Sequence, residues 1–187
     1  MSETQPTLLL ITGPNGAGKT TFAAEILTRE LKGYRFLNAD EIARGLSPFD
    51  PPSVAFKAGR LLINEAHQMI EKKKNFALES TISGVGHTRM IKRAKKQGYK
   101  VVLHFLWLPA PEESIRRVNQ RVKKGGHHVP SEDIRRRYPR TFYNLVAYYL
   151  PLADRWHFWN AHSLKFKPLA DYKTHVIHDI ANYLDIQ

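Results

Sequence analysis

Cysteine is absent from the 187-residue chain. That excludes a disulfide framework, thiolate-held zinc, an iron–sulfur cluster and a thiol nucleophile, and it fits a reducing compartment. Acidic residues are scarce, 17 Asp+Glu against 29 Lys+Arg, which leaves a net charge of +12. Long apolar runs are also missing: the longest, Leu8–Thr12 and Val101–Leu108, fall far short of the ~20 residues that cross a bilayer as a helix. The polar start Met1-Ser-Glu-Thr-Gln-Pro carries no basic residue and does not read as a secretion signal. The expectation is a cytoplasmic protein without a membrane partner. No Gly-x-Ser-x-Gly elbow supports a hydrolase triad and no Asn-Lys-x-Asp stretch supports guanine recognition. There is no repeat, low-complexity tract or long Gly/Ser linker, so one domain over residues 1–187 is expected at roughly 100–200 residues per domain.

What is present is an alternation of strand and helix patterns. Thr7–Thr12, Arg35–Leu37, Phe76–Leu78, Tyr99–Leu108 and Trp156–Trp159 read as strands, with Leu164–Phe166 as an extra one. Lys19–Leu31 closed by Lys32-Gly33, Val54–Glu71, Thr88–Gln97, Pro111–Val122, Ser131 to about Tyr149 and His175–Leu184 read as helices. Leu61, Leu62, Ala66, Met69 and Ile70 share one face of the second helix, and Ser131 is placed as an N-cap. The pattern predicts a three-layer α/β fold with a five-stranded parallel sheet and right-handed crossovers, and a helical, arginine-bearing lid at about 121–140. Trp107, Trp156, Trp159, Tyr143, Tyr148 and Tyr149 are expected in the core or in helix packing.

Gly13-Pro14-Asn15-Gly16-Ala17-Gly18-Lys19-Thr20 matches the phosphate-loop pattern in full, directly after an apolar strand and at the start of a helix. Glycines let backbone N–H groups turn inward around phosphates, and the helix N-terminus adds partial positive charge. Lys19 is then the group for the β- and γ-phosphates, the Thr20 hydroxyl is a ligand for Mg²⁺, and Thr21 completes the ATP-binding set. Asp40 follows the second strand and Glu79 the third, so both come to the carboxyl edge of the sheet, where ligands of open α/β folds bind. Asp40 is the candidate for the group that takes the proton of an acceptor hydroxyl, and it also suits an N-cap of a short helix over Glu41–Arg44. Glu79, Thr81 and Ser83 are candidates for substrate contacts. Arg121 precedes Lys123-Lys124-Gly125-Gly126-His127-His128-Val129-Pro130, and Arg135, Arg136, Arg137 and Arg140 follow on a helix. Arg137 and Arg140 lie three apart and share a face. Arginine forks over a transferring phosphoryl group stabilise the charge of its transition state.

Together, Gly-Pro-Asn-Gly-Ala-Gly-Lys-Thr-Thr, Phe36-Leu-Asn-Ala-Asp40-Glu-Ile-Ala, Phe76-Ala-Leu-Glu79-Ser-Thr81 and the stretch from Arg121 through Gly-Gly-His-His-Val-Pro to Arg140 resemble the zeta toxin family of phosphate-loop kinases, in a short single-domain form. The resemblance implies phosphorylation of a hydroxyl on the amino-sugar of UDP-N-acetylglucosamine by ATP·Mg²⁺. It makes Asp40 the base, Lys19 and Thr20 the ATP·Mg²⁺ ligands, Glu79 and Thr81 substrate contacts, and Arg121 with one arginine of 135–140 the γ-phosphate clamp. The implied partners are a sugar nucleotide and an antitoxin protein. The alternatives are a kinase for another nucleoside or metabolite, a nucleic-acid-binding ATPase or polynucleotide kinase suggested by the +12 charge, and a nucleotide switch without transfer.

Overall fold

The computed structural model describes residues 5–29, 33–162 and 165–184. The elements run β1 (Thr7–Thr12), α1 (Lys19–Arg29), β2 (Arg35–Leu37), α2 (Ala39–Leu46), a 3₁₀ turn (Pro51–Val54), α3 (Ala55–Glu71), β3 (Phe76–Ser80), α4 (Thr88–Lys96), β4 (Lys100–Trp107), α5 (Pro111–Lys123), α6 (Ser131–Asn144), a π turn (Leu145–Tyr149), a 3₁₀ turn (Leu150–Leu152), β5 (Arg155–Asn160), β6 (Lys167–Asp171) and α7 (Ile177–Tyr183). The expected end of α1 at Leu31-Lys32 and Leu164 of the expected extra strand lie outside the described residues.

The strands pair in the order β2-β3-β1-β4-β5-β6. The first five are parallel and β6 is antiparallel to β5. The sheet thus has six strands and is mixed, which corrects the expected five-stranded, wholly parallel one. The connection between β5 and β6 is too short for a crossover, which leaves only an antiparallel return. Lys167-Pro168 at the start of β6 hid the strand from its sequence pattern, since proline is tolerated in a sheet mainly at an edge.

In β1 the alternation of side chains serves both faces: Leu8 and Leu10 enter one core, Leu9 and Ile11 the other, as a parallel sheet covered on both sides requires. The larger core lies under α3, α4, α6 and α7. On α3 the stripe Ala58, Leu62, Ala66, Ile70 is buried, one residue every turn. Leu61, expected on that face, is exposed instead, and Met69 is only partly buried. Among the aromatic residues Trp156 and Tyr149 are buried and Trp107 and Trp159 partly so, whereas Tyr143 and Tyr148 are exposed. The helix expected from Ser131 to about Tyr149 stops being α-helical at Asn144, where one π turn begins. Ser131 is its first helical residue and the cap position is Pro130.

On the α1 side, β4 and β5 carry His104, His157 and Trp159 into a cavity of about 850 Å³ between α1 and Phe166. The Trp159 indole N–H donates to His104 Nδ1 at 3.0 Å, and His157 stacks on His104 at 4.9 Å. Burial, with His157 adding to it, pushes the His104 pKa from 6.5 down to about 3. Between those values the unfolded chain binds a proton that the folded one refuses, so this contribution to stability is complete above about pH 6.5 and is lost as pH falls toward about 3. Urea unfolding at a series of pH values is expected to show that loss, and His104→Phe to reduce it.

Candidate active site

Between β1 and α1 the chain turns back through three positive φ angles, 140° at Gly13, 75° at Gly16 and 82° at Gly18. A side chain at Gly13 would strike the Leu106 carbonyl, and one at Gly16 would come within 2.9 Å of the Ser114 carbonyl. Only glycine permits both the conformation and the approach. Lys19, at the head of α1, is buried and donates from Nζ to the Pro14 carbonyl across the loop at 2.9 Å. Burial lowers its pKa; Glu79 and Asp40 pull it back up, and Arg121 pushes it further down. A phosphate entering the loop therefore meets a lysine whose charge is already supported by two carboxylates.

On α5, whose Ser114 and Arg117 lie close to Gly16, an ion-pair brace escaped the sequence reading. Glu113 accepts from Arg116 at 2.7 Å and from Arg117 at 2.6 Å, and Arg117 also donates to the His162 carbonyl at 2.7 Å. Those arginines, Arg116 foremost, hold the Glu113 carboxyl down to about 2.

Asp40 and Glu79 arrive from neighbouring strands. The cap of α2 is Asn38, whose Oδ1 accepts from the N–H groups of Asp40 at 2.8 Å and Glu41 at 3.4 Å. Asp40 is therefore inside the first turn, not its cap, and its exposed carboxylate has no capping duty. Glu79 sits within β3 abreast of Ile11 of β1, and its Oε2 accepts from the Thr20 hydroxyl at 2.9 Å. Burial raises the Glu79 pKa and Asp40 raises it further, against the lowering effects of Lys19 and of hydrogen bonds from Thr20 and Asn38.

After Ser80 the chain makes a turn that nothing in the sequence announced. Ile82 adopts a φ of 50° while its side chain is buried, a rare conformation for a β-branched residue. Two α6 side chains hold it: Thr141 donates to the Thr81 carbonyl at 3.0 Å and Asn144 to the Ile82 carbonyl at 2.8 Å. Within the turn the hydroxyls of Thr81 and Ser83 are 3.2 Å apart. Asn144→Ala leaves a buried carbonyl unpaired and is expected to cost about 1–3 kcal/mol in a urea unfolding titration.

In the lid, Gly125 closes α5 with a φ of 79°, and the Gly126 N–H donates to the Arg121 carbonyl at 2.9 Å. Any side chain at Gly126 would collide with Cγ of Arg121. The Arg121 guanidinium donates through Nε and Nη2 to the His127 carbonyl, at 3.1 and 2.7 Å. On α6, Arg137 is half-buried and pairs with Asp133 at 3.3 Å. Arg136 also pairs with Asp133, and Arg135 faces Glu112 at 3.8 Å.

Lys19, Asp40, Glu79, Thr81, Arg121 and Arg137 all line one cleft of about 200 Å³. Arg140 is exposed and lies outside the wall of this cleft. Ser83 lies off the cleft wall, and Thr21 faces the larger cavity on the α1 side instead. That larger cavity holds no phosphate-loop lysine and no Asp40–Glu79 pair, so its size does not make it the reacting site.

The sequence profile of the zeta toxin family matches residues 1–142. The chain belongs to the zeta toxin family. It is 31% identical over 132 residues to an uncharacterised protein of Haemophilus influenzae, a stretch that covers 67% of this chain and 88% of the relative. Its fold is similar to a solved structure of the PezAT chromosomal toxin–antitoxin system of Streptococcus pneumoniae, with a TM-score of 0.71 at 17% identity over 97% of this chain and 79% of that one. It is also similar to shikimate kinase from Acinetobacter baumannii in complex with shikimate, with a TM-score of 0.52 at 19% identity over 97% and 92% of the two chains. As a zeta toxin family member with a phosphate-loop kinase fold, the chain is an ATP-dependent phosphotransferase with an alcohol group as acceptor.

In this zeta toxin family chain the residues present fit Mg²⁺ brought in with ATP. Among the described residues no group of three or more His, Asp or Glu could hold a metal unaided, and Mg²⁺ in kinase sites is usually shared between one or two protein ligands, nucleotide phosphates and water. The Thr20 hydroxyl beside the Glu79 carboxylate supplies such a partial set. Among the cleft residues that the sequence reading did not assign to the site are Asn38, Gly59 and His87. Only Asn38 left a signal, as a capping residue two positions before Asp40. No described helix is long and apolar enough to cross a membrane.

Proposed function

We propose that the chain transfers the γ-phosphate of ATP directly to a hydroxyl of a sugar nucleotide, with UDP-N-acetylglucosamine the first candidate acceptor. The observation that carries this reading is the single cleft shared by a phosphate-loop lysine, an uncapped aspartate and two lid-side arginines. The acceptor O–H gives its proton to Asp40 as its oxygen bonds to the γ-phosphorus, and the bond from that phosphorus to the β–γ bridging oxygen breaks, releasing ADP. Lys19 leaves the Pro14 carbonyl for the β- and γ-phosphate oxygens. Arg121 and Arg137 donate to the oxygens of the transferring group and stabilise the charge spreading over it. Thr20, with Glu79 behind it, would hold Mg²⁺, which would supply positive charge against the nucleotide phosphates.

The sugar-nucleotide acceptor rests on the family resemblance, as does an antitoxin partner, which the likeness to the PezAT toxin–antitoxin structure supports. A cytoplasmic location is consistent with both. Mass spectrometry of an incubation with ATP, Mg²⁺ and a panel of UDP-N-acetylglucosamine, free sugars, nucleosides and short oligonucleotides tests the reading. A gain of one phosphate on UDP-N-acetylglucosamine supports it. Transfer only to oligonucleotide ends would replace it with the polynucleotide kinase alternative, and transfer to nothing would overturn it.

A further inference from the structure

His87, at the head of α4, lines the cleft on the wall it shares with Gly59, Leu62 and Thr81. Its Nδ1 is buried without a hydrogen-bond partner, and no hydrogen bond to its other ring nitrogen is present among the described residues. A hidden ring nitrogen costs less as a lone pair than as an unpaired N–H, so the proton belongs on Nε2. Burial alone lowers the pKa of the ring, which keeps it uncharged at neutral pH. The surroundings agree with a neutral role. The cleft's cations, Lys19, Arg121 and Arg137, come from the phosphate loop and the lid, whereas the α3 and α4 wall carries a glycine, a leucine and this imidazole. At Gly59, which also lines this cleft, a methyl group would meet no atom within 4 Å.

We propose that His87 is a specificity residue of the acceptor half of the cleft, donating its Nε2–H to an uncharged oxygen of the acceptor, a hydroxyl or an amide carbonyl, next to the hydroxyl that is phosphorylated. This rests on the kinase reading above and adds the chemistry of the group recognised. An anionic substituent at that position would find no compensating charge on this wall. A neutral hydrogen-bond acceptor would pair with the Nε2–H.

The experiment compares the wild-type chain with His87→Gln, whose amide nitrogen replaces Nε2, and with His87→Leu, which has no donor. ATP affinity is read by calorimetry, and KM and kcat for UDP-N-acetylglucosamine by phosphate transfer. His87→Leu is expected to raise the acceptor KM about tenfold, with ATP affinity within about twofold, and His87→Gln to recover most of the loss. An unchanged acceptor KM in His87→Leu overturns the proposal while leaving the kinase reading intact. Equal losses of ATP affinity and acceptor affinity in both variants, with a lowered melting temperature, would make His87 a packing residue only. If the wild-type chain phosphorylates no acceptor, the kinase reading fails and this inference fails with it.

Discussion

Asp40→Asn is expected to slow phosphate transfer by about 10²–10⁴-fold, the range over which a positioned general base contributes. The substitution keeps the size of the side chain. It also leaves the α2 cap untouched, because Asn38 and not Asp40 holds the first turn. The effect therefore reports on chemistry. ATP affinity should stay within about threefold, because Asp40 is not part of the loop that surrounds the phosphates and only supports the Lys19 charge through space. Removing that support lowers the Lys19 pKa further, and Lys19 would lose its charge at a lower pH in the variant. A variant with full transfer rate would show that the proton leaves by another route.

The second large effect belongs to Arg121. Arg121→Ala is expected to reduce kcat by about 10³-fold or more, the lower end of what a transition-state arginine supplies. The same arginine can be disturbed without touching its chemistry. Gly126 is packed so closely that a methyl group would displace the Arg121 side chain and its carbonyl, the latter at 2.9 Å. Gly126→Ala is expected to lower kcat by about 10²-fold, the cost of misplacing a catalytic group by an ångström. Gly125→Ala is the contrast: it meets no atom within 4 Å, but its φ is 79°, so it should cost stability, roughly 1 kcal/mol, with little change in rate. Steady-state kinetics beside thermal unfolding of the two variants separates these outcomes. Equal behaviour of the two glycines would show that the turn acts as a hinge, with no special hold on Arg121.

Much of this architecture was legible because the signals were local. β1 and β2 begin and end at the residues their patterns predict, since each is an apolar run cut off by glycine or by a polar turn. The phosphate loop was legible because its chemistry demands glycines at fixed spacing followed directly by lysine and threonine. What escaped was set by distant partners. Ile82 takes its left-handed conformation because Asn144, 62 residues away, holds its carbonyl. The antiparallel β6 is an edge strand whose proline masks its period. His87 reaches the cleft through the placement of α4, and no neighbour in sequence marks it. Among the lid arginines, spacing paired Arg137 with Arg140. The packing of α6 leaves Arg137 in the cleft and Arg140 exposed.

The central claim is that the γ-phosphate leaves ATP inside the cleft between Lys19, Arg121 and Asp40. A crystal structure with ADP, Mg²⁺, a planar metal fluoride in place of the transferring phosphoryl group and UDP-N-acetylglucosamine tests it most directly. The account predicts the fluoride between Lys19 and Arg121, with an acceptor hydroxyl in line with it and within about 2.6–3.2 Å of an Asp40 oxygen. A fluoride bound away from Arg121, or an acceptor hydroxyl in line but out of reach of Asp40, would contradict it.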